Sequence, residues 1–312
     1  MAQIVAIGEI LVEIMATRIG QTFLEPGLFT GPYPSGAPAI FADQAARVGA
    51  ATALISCVGP DDFGTLNLNR LQASGVEVGA IRRVPGTTTG SAFVTYRADG
   101  GRDFIFNIAN SAAAALDAAQ LEPGLFRDCR FFHLMGSSLF SARIAAAVRR
   151  GVELAKAAGA QISFDPNIRK ELLGLPEVAD TIAAVLAVSD VLLPSDADLA
   201  HLCPGQSEAE AAASLLAAGR RMVLLKKGAQ GSVYHDAGRR IAAPAFNADE
   251  VDPTGAGDCF GGTFVACLAQ GVPLERALRL ANAAGALAVA KKGPMEGNSS
   301  MAELDRILER NP

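Results

Sequence analysis

"EVDPTGAGDCFGGTFVACLAQG" runs from Glu250 to Gly271, and the fold turns on how its glycines are read. Glycine weakens a helix or strand, so Gly255-Ala256-Gly257 marks a close backbone approach or an unusual φ. A dinucleotide fingerprint would need G-x-G-x-x-G directly after a strand. Here the spacing is G-x-G-x-x-x-G, in the last fifth of the chain. A Walker A loop, G-x-x-x-x-G-K-S/T, occurs nowhere. Two readings remain. One is a glycine turn capped by Asp258, with Gly261 and Gly262 allowing close helix packing. The other is an anion hole. A helix N-terminus presents unpaired N–H groups and the equivalent of roughly half a positive charge. Glycines leave room for phosphate oxygens to reach it, and a carboxylate in that turn would serve as a base. Spacing alone leaves both open.

Outward from this stretch, strands and helices alternate. "QIVAIGEILVEI" opens with a β-branched run, as in a buried parallel strand. "SGAPAIFADQAARVGA" is a small-residue helix ending at Gly49, "ATALISCVG" a strand, and "DDFGTLNLNRLQASGV" a helix that Asp61 or Asp62 can cap. Past residue 110 the predicted strands are "RFFHLMG", "QISFDPN", "VLLPS" and "MVLLKKG", with helices such as "SARIAAAVRRGVELAKAAG" and "SEAEAAASLLAAGRR" between them. This alternation favours a mainly parallel sheet with helices on both faces. Residues about 14–33 and about 88–107 break the rhythm. The second, "TTGSAFVTYRADGGRDFIFN", alternates β-formers around a turn. Both are expected to join in one small sheet projecting from a single domain that spans residues 1–312.

Composition narrows the partners. Half the residues are apolar and 19% are charged, which suits a packed core rather than a disordered chain. A net charge of −5 with scattered basic residues argues against nucleic acid or an anionic membrane surface. The cysteines (Cys57, Cys129, Cys203, Cys259, Cys267) form no CxxC, and His133, His201 and His235 stand apart. Neither a disulfide framework nor a zinc site is expected, and a reducing cytoplasm is. The N-terminal apolar run lacks a basic flank and is interrupted by Glu9 and Glu13, so it reads as a strand rather than a signal peptide or a membrane span.

"VDPTGAGDCFGGTF" closely resembles the C-terminal signature of the ribokinase-like (PfkB) family of sugar kinases. "SGAPAIFADQAARVGA" resembles its N-terminal signature, and "CVGPDDFG", "FDPNIR", "KKGAQGS" and "ANAAGALAV" follow in the family's order. The resemblance covers essentially the whole chain. It implies a three-layer α/β/α domain with a mainly parallel central sheet and a small β lid, ATP and Mg2+ as cofactors, and a small sugar as substrate. It also implies that Asp258 is the catalytic base, with the amides of Gly255, Ala256 and Gly257 stabilising the transferred phosphoryl group. Phosphoryl transfer, being largely positioning and charge stabilisation, suits such a site. By the same resemblance Lys226, Gly228, Gly231 and Asn282 lie beside ATP, although Lys226 competes with its neighbour Lys227 for that place. Asp252 matches a position linked to a monovalent cation (K+), or it stabilises the turn before Pro253. The family's Asn-x-x-Glu element, which organises Mg2+ through water, is "PSDADL" here, leaving the shorter Asp198 in the role of the glutamate. Gly36 begins the sugar loop and Glu13 falls where family members bind sugar hydroxyls. Asp165, Asn167 and Arg169 sit at a strand end, where ligands of open α/β sheets gather. Tyr96, Arg97 and Arg102 belong to the lid.

Two substrate classes compete. "GEILVEI" with Arg97 and Arg169 is similar to 2-keto-3-deoxygluconate kinases, in which arginine pairs with the acid's carboxylate. The lid segment is more similar to fructokinases and other ketohexose kinases. Ser35 and Ile40 replace a glycine and an asparagine of the commoner pattern, removing a polar group near the sugar. A ketohexose, tagatose or fructose, is favoured. A nucleoside kinase would need stacking aromatics, of which a chain with no Trp and three Tyr offers few. A non-catalytic sugar-binding regulator is the rival from another class, and the intact Gly255–Asp258 turn argues against it. The lid's exposed edge predicts a homodimer with paired lids.

Overall fold

Strand alternation explains why helices flank this sheet on both sides. In the computed structural model, which describes residues 1–168 and 176–311, successive residues of each central strand enter different cores. Ile4, Ala6, Leu54, Phe131 and Leu224 face one core, while Val5, Ile7, Ile55, Phe132 and Val223 face the other. The period-two geometry of a strand requires helices on both faces to cover such a pattern.

The strands are β1 (Ile4–Ile7), β2 (Leu11–Ile19), β3 (Phe29–Ser35), β4 (Thr52–Val58), β5 (Ile81–Arg83), β6 (Gly90–Tyr96), β7 (Arg102–Asn107), β8 (Phe131–Met135), β9 (Gln161–Asp165), β10 (Val191–Leu192), β11 (Met222–Lys226), β12 (Ser232–His235) and β13 (Arg240–Ala243). The helices are α1 (Ala37–Arg47), α2 (Asp62–Ala73), α3 (Ala142–Ala157), α4 (Pro176–Val188), α5 (Asp196–Leu202), α6 (Glu208–Ala217), α7 (Ala256–Gln270), α8 (Leu274–Val289) and α9 (Met301–Arg310). The main sheet runs β13-β12-β11-β10-β9-β8-β1-β4-β5. It is parallel from β11 to β5, and the antiparallel β12 and β13 close one edge. Residues of α1, α7, α8 and α9 fill the first core, and residues of α3, α4, α5 and α6 fill the second. The β12–β13 hairpin is not foreshadowed by the sequence pattern. Its strands are only four residues each, too short for the alternation to stand out.

A second sheet has the order β3-β2-β6-β7. Both hairpins expected from sequence are present and meet through parallel pairing of β2 with β6. The first strand begins at Leu11, earlier than the expected boundary near residue 14, because Leu11 pairs with both Ser35 and Gly90. One face of this sheet carries Glu13, Tyr96, Arg102, Phe104 and Phe106. The opposite face carries Ile14, Phe93 and Ile105.

A buried polar network fixes the loop before α9 to the first core. Asp43 takes a bidentate ion pair from Arg70 at 3.0 and 3.2 Å and a hydrogen bond from Asn298 at 2.6 Å. Gln44 donates to Thr263 and to the Ser299 carbonyl, both at 3.0 Å. These bonds join α1, α2, α7 and residues 295–299, so α7 starts at a fixed place.

Candidate active site

The α7 N-terminus is not capped by a side chain. Gly255 occupies the N-cap position in the left-handed region (φ 80°, ψ −7°), and no side-chain cap hydrogen bond is made there. Asp258 lies in the first turn of this glycine-led helix. A Cβ on Gly255 would stand 2.4 Å from the Pro294 carbonyl oxygen, so the turn is pressed against the 291–299 loop. The preceding turn is held by Asp252, which is fully buried. Its Oδ1 accepts from the Thr254 amide (3.1 Å) and hydroxyl (2.7 Å), and its Oδ2 from the Gly293 amide (3.0 Å).

Strand ends supply the facing wall. Lys226, the last residue of β11, donates to Asp165 Oδ2 at 2.5 Å, at the end of β9. The lysine side chain is 14% exposed and the aspartate 1%. Burial pushes the Asp165 carboxyl up to about 6, against the pull of Lys226. For Lys226 burial works against the charge, but the carboxylates of Asp165, Asp198 and Asp258 outweigh it and hold the ammonium above its ordinary range. Lys226 Nζ lies 3.5 Å from where a Cβ on Gly257 would be, against the first turn of α7. Lys227 turns away, to Glu208 at 2.7 Å. The structure thus separates two lysines that the sequence could not.

Asp198 is tied into the backbone. It forms a capping box with Ser195 at the start of α5, with Oδ2 accepting from the Ser195 amide (2.8 Å) and hydroxyl (2.6 Å). Its Oδ1 accepts from the Ile168 amide at 2.8 Å. Three of about four carboxylate acceptor positions are thereby used. Asn167 stands at φ 36° and directs its amide to Asp165 Oδ1 at 3.2 Å. Arg169 lies outside the described residues.

The lid sheet contributes the third side. Glu13 is buried and accepts from the Ser35 hydroxyl at 2.6 Å, so the Ser35 that replaces a family glycine is the partner of the lid carboxylate. Ile40 packs beside Gly255. Gly36 is the N-cap of α1, where a Cβ would meet the Glu9 carbonyl at 2.5 Å. Arg102 reaches from β7 to the Thr254 hydroxyl at 2.7 Å, joining the lid to the turn before α7. Burial, with the Asp252 and Glu13 carboxylates, pushes the Tyr96 phenol well above its ordinary range. Arg97 does not join this group. It is spent in the hairpin turn on Asp99 (3.2 Å) and Asp103 (2.5 Å), with its side chain 49% exposed.

On the other side of Lys226, Gly228 (φ 52°) and Gly231 (φ 89°) shape a short loop between β11 and β12. Asn282 is buried in α8, and its amide nitrogen donates to the carbonyls of Ala243 (3.1 Å) and Pro244 (3.2 Å). These bonds fix the chain leaving β13.

Sequence reasoning missed Thr254, Lys292 and Glu9. Thr254 is the receiver of Arg102. Lys292 donates to the Ala16 carbonyl at 3.0 Å and lies 5.6 Å over the Tyr96 ring, a second tie between body and lid. Glu9 is buried, accepting from Ser137 at 3.4 Å and from Ser138. Thr254, inside the signature, could have been suspected. For Lys292 no local signal exists, since "AKKGP" reads as a solvated loop. Among the described residues no group of three or more His, Cys, Asp or Glu is arranged to hold a metal ion, and no helix is long and apolar enough to cross a membrane.

The chain is similar to known proteins along essentially its whole length. A family model described as pfkB family carbohydrate kinase matches residues 1–301. Fructokinase-1 of Oryza sativa subsp. japonica is 33% identical over 315 residues, covering 98% of this chain and 97% of the relative. An E. coli chain provisionally assigned as ribokinase II, solved with ATP and Mg2+, is 48% identical, with a TM-score of 0.95 and full coverage of both chains. A Vibrio cholerae fructokinase solved with fructose, ADP and calcium is 25% identical, with a TM-score of 0.86 and 99% coverage of each chain.

Proposed function

The chain belongs to the pfkB family of carbohydrate kinases, and we propose that it transfers the γ-phosphate of ATP to a hydroxyl of a ketohexose, with fructose first and tagatose next. The observation that carries this reading is the α7 N-terminus, a first turn that starts from left-handed Gly255, bears Asp258 and is faced by Lys226. Its first-turn amides, of which Ala256 N–H makes only a long 3.4 Å bond to the Pro253 carbonyl, offer hydrogen bonds to a transferring phosphoryl group, and preorganised donors of this kind supply most of the rate enhancement in such chemistry. Asp258 aligns the attacking hydroxyl and takes its proton late, as the oxygen becomes acidic. Glu13, with Ser35 beside it, supplies a fixed acceptor for sugar hydroxyls, and Gly36 leaves room for the loop to pass close to Glu9. Tyr96 and Arg102 close over the sugar from the lid, which excludes water. The loop at Gly228 and Gly231 borders the nucleotide, and Asn282 shapes that border through the 243–244 backbone.

Mg2+ arrives with ATP and neutralises phosphate charge. The donor set suits an ion carried by phosphates, with Asp198 offering its one remaining acceptor position to a metal-bound water. Asp252, buried and without an ion pair among the described residues, suits a neighbouring monovalent cation such as K+. Of the features behind the acid-sugar alternative, "GEILVEI" with Arg97 and Arg169, Arg97 is engaged with Asp99 and Asp103, and Arg169 lies outside the described residues. The outer lid face, with Ile105 at 46% exposure beside Ile14 and Phe93, suits pairing of lids in a homodimer. Five free, buried cysteines are in keeping with the cytoplasm.

The test is ADP release from ATP and Mg2+ against fructose, tagatose, 2-keto-3-deoxygluconate, ribose and adenosine. Turnover of a ketohexose is expected. Turnover of the acid sugar or of adenosine alone would reassign the substrate. Binding of a sugar with no turnover of any would favour a regulator.

A further inference from the structure

We propose that Lys226 is a direct ligand of the transferring phosphoryl group and that Asp165, expected from sequence to bind sugar, is instead the positioning residue that holds it. The proposal rests on the kinase reading and adds a residue role to it. The geometry starts from the 3.5 Å between Lys226 Nζ and a Cβ placed on Gly257. A Cβ lies about 2.5 Å from its own amide nitrogen, so the ammonium lies within about 6 Å of the Gly257 N–H. Oxygens of one phosphoryl group, each hydrogen-bonded at about 2.9 Å, can bridge that gap. The anion hole therefore has a cationic wall, and a phosphoryl group entering it meets a helix amide and an ammonium together.

The ammonium has capacity for this. Of its three N–H donors one goes to Asp165 Oδ2, its hydrogen-bond partner among the described residues. Asp165 is engaged on both of its oxygens. Its Oδ2 holds Lys226 and its Oδ1 takes the Asn167 amide, in a turn where Asn167 adopts φ 36°. A buried ion pair contributes little to stability on balance, because desolvation offsets its attraction. That makes a structural purpose a weak explanation for placing this pair beside the reacting turn. Lys227 provides the contrast, since its partner Glu208 lies away from α7.

The experiment combines kinetics with equilibrium binding. Lys226→Met, Asp165→Asn and the wild type are titrated calorimetrically with Mg2+ and either ADP or β,γ-imido-ATP, and ketohexose phosphorylation is followed in parallel. For Lys226→Met the expected kcat falls about 100- to 1000-fold, as on loss of one charge-stabilising donor. ADP affinity stays within about threefold, while imido-ATP affinity falls at least about tenfold. Asp165→Asn lowers kcat about tenfold or more with ADP binding kept, and the wild type's preference for imido-ATP over ADP shrinks. Lys226→Met/Asp165→Asn removes both buried charges, and should show the same ADP versus imido-ATP contrast if Lys226→Met alone does not fold. A kcat within threefold of wild type in either lysine variant overturns the proposal. So does a parallel loss of ADP and imido-ATP affinity. If the wild type phosphorylates no sugar, the functional reading fails, while the contrast between the two nucleotides still decides the role of Lys226.

Discussion

Replacing Gly255 by alanine tests whether the α7 turn is the reacting element. The new Cβ would stand 2.4 Å from the Pro294 carbonyl oxygen, where ordinary contact begins at 3.4 Å, so backbone must move by about 1 Å. Left-handed φ adds about 1–2 kcal/mol for a residue with a Cβ. With the steric clash included the cost is about 2–4 kcal/mol. Unfolding entropy of about 2.1 cal/mol/K per residue gives ~0.65 kcal/mol/K for this chain, so Tm should fall by about 3–6 °C. A displacement of about 1 Å in a positioning element costs about 100-fold in rate. Gly271→Ala is the control. It has a similar conformation (φ 74°) at the other end of the same helix, with nothing within 4 Å of its Cβ. It should lower Tm by about 2–3 °C and leave kcat within about twofold. The assay is ADP release at saturating ATP and sugar, with Tm from scanning calorimetry. A Gly255→Ala enzyme within threefold of wild-type kcat would refute the reasoning. So would a Gly271→Ala enzyme that loses rate equally.

Asp258→Asn should lower kcat about 100- to 10,000-fold in the same assay with little change in nucleotide affinity, because it removes the proton acceptor and keeps the shape. Arg102→Ala breaks the 2.7 Å bond to Thr254 and should raise the sugar KM about tenfold while Tm moves by about 1 °C, whereas Thr254→Val leaves a buried acceptor on Asp252 short of a donor and should cost about 1–3 kcal/mol in denaturant unfolding. Asp165 has its folded pKa raised from 3.8 to about 6, so its contribution to stability is full below pH 3.8 and is lost as pH rises through about 6. Activity should run the other way, with kcat falling below about pH 6 as the partner of Lys226 is protonated, and a pH–rate profile without that acid limb would sink the assignment. Ile105→Asp on the outer lid face should convert a species of twice the 32.1 kDa chain mass to a monomer in light scattering, with the wild type required to be dimeric.

Much was legible without coordinates because the deciding signals are local. Period-two and helical apolar patterns placed the parallel strands and their helices. The glycines of the 250–271 stretch marked a turn whose conformation, φ 80° at Gly255, only a residue without Cβ adopts at low cost. The same patterns placed both lid hairpins, since their alternation and turn residues lie within a few positions of one another.

What the tertiary structure decided concerns pairs distant in sequence. Lys226 and Asp165 are 61 residues apart, and Arg102 and Thr254 are 152 apart. Nothing in either local pattern says which of two adjacent lysines turns inward, or that Arg97 closes its own hairpin while Arg102 crosses to the body. Strand parity and register settle that, because a side chain's face follows from its pairing partner rather than from its neighbours in sequence. The sequence by itself determined the kinds of chemistry present and the turn that carries them. Only packing determined which charges share a buried site, because there a group's protonation and reach depend on what else is buried beside it.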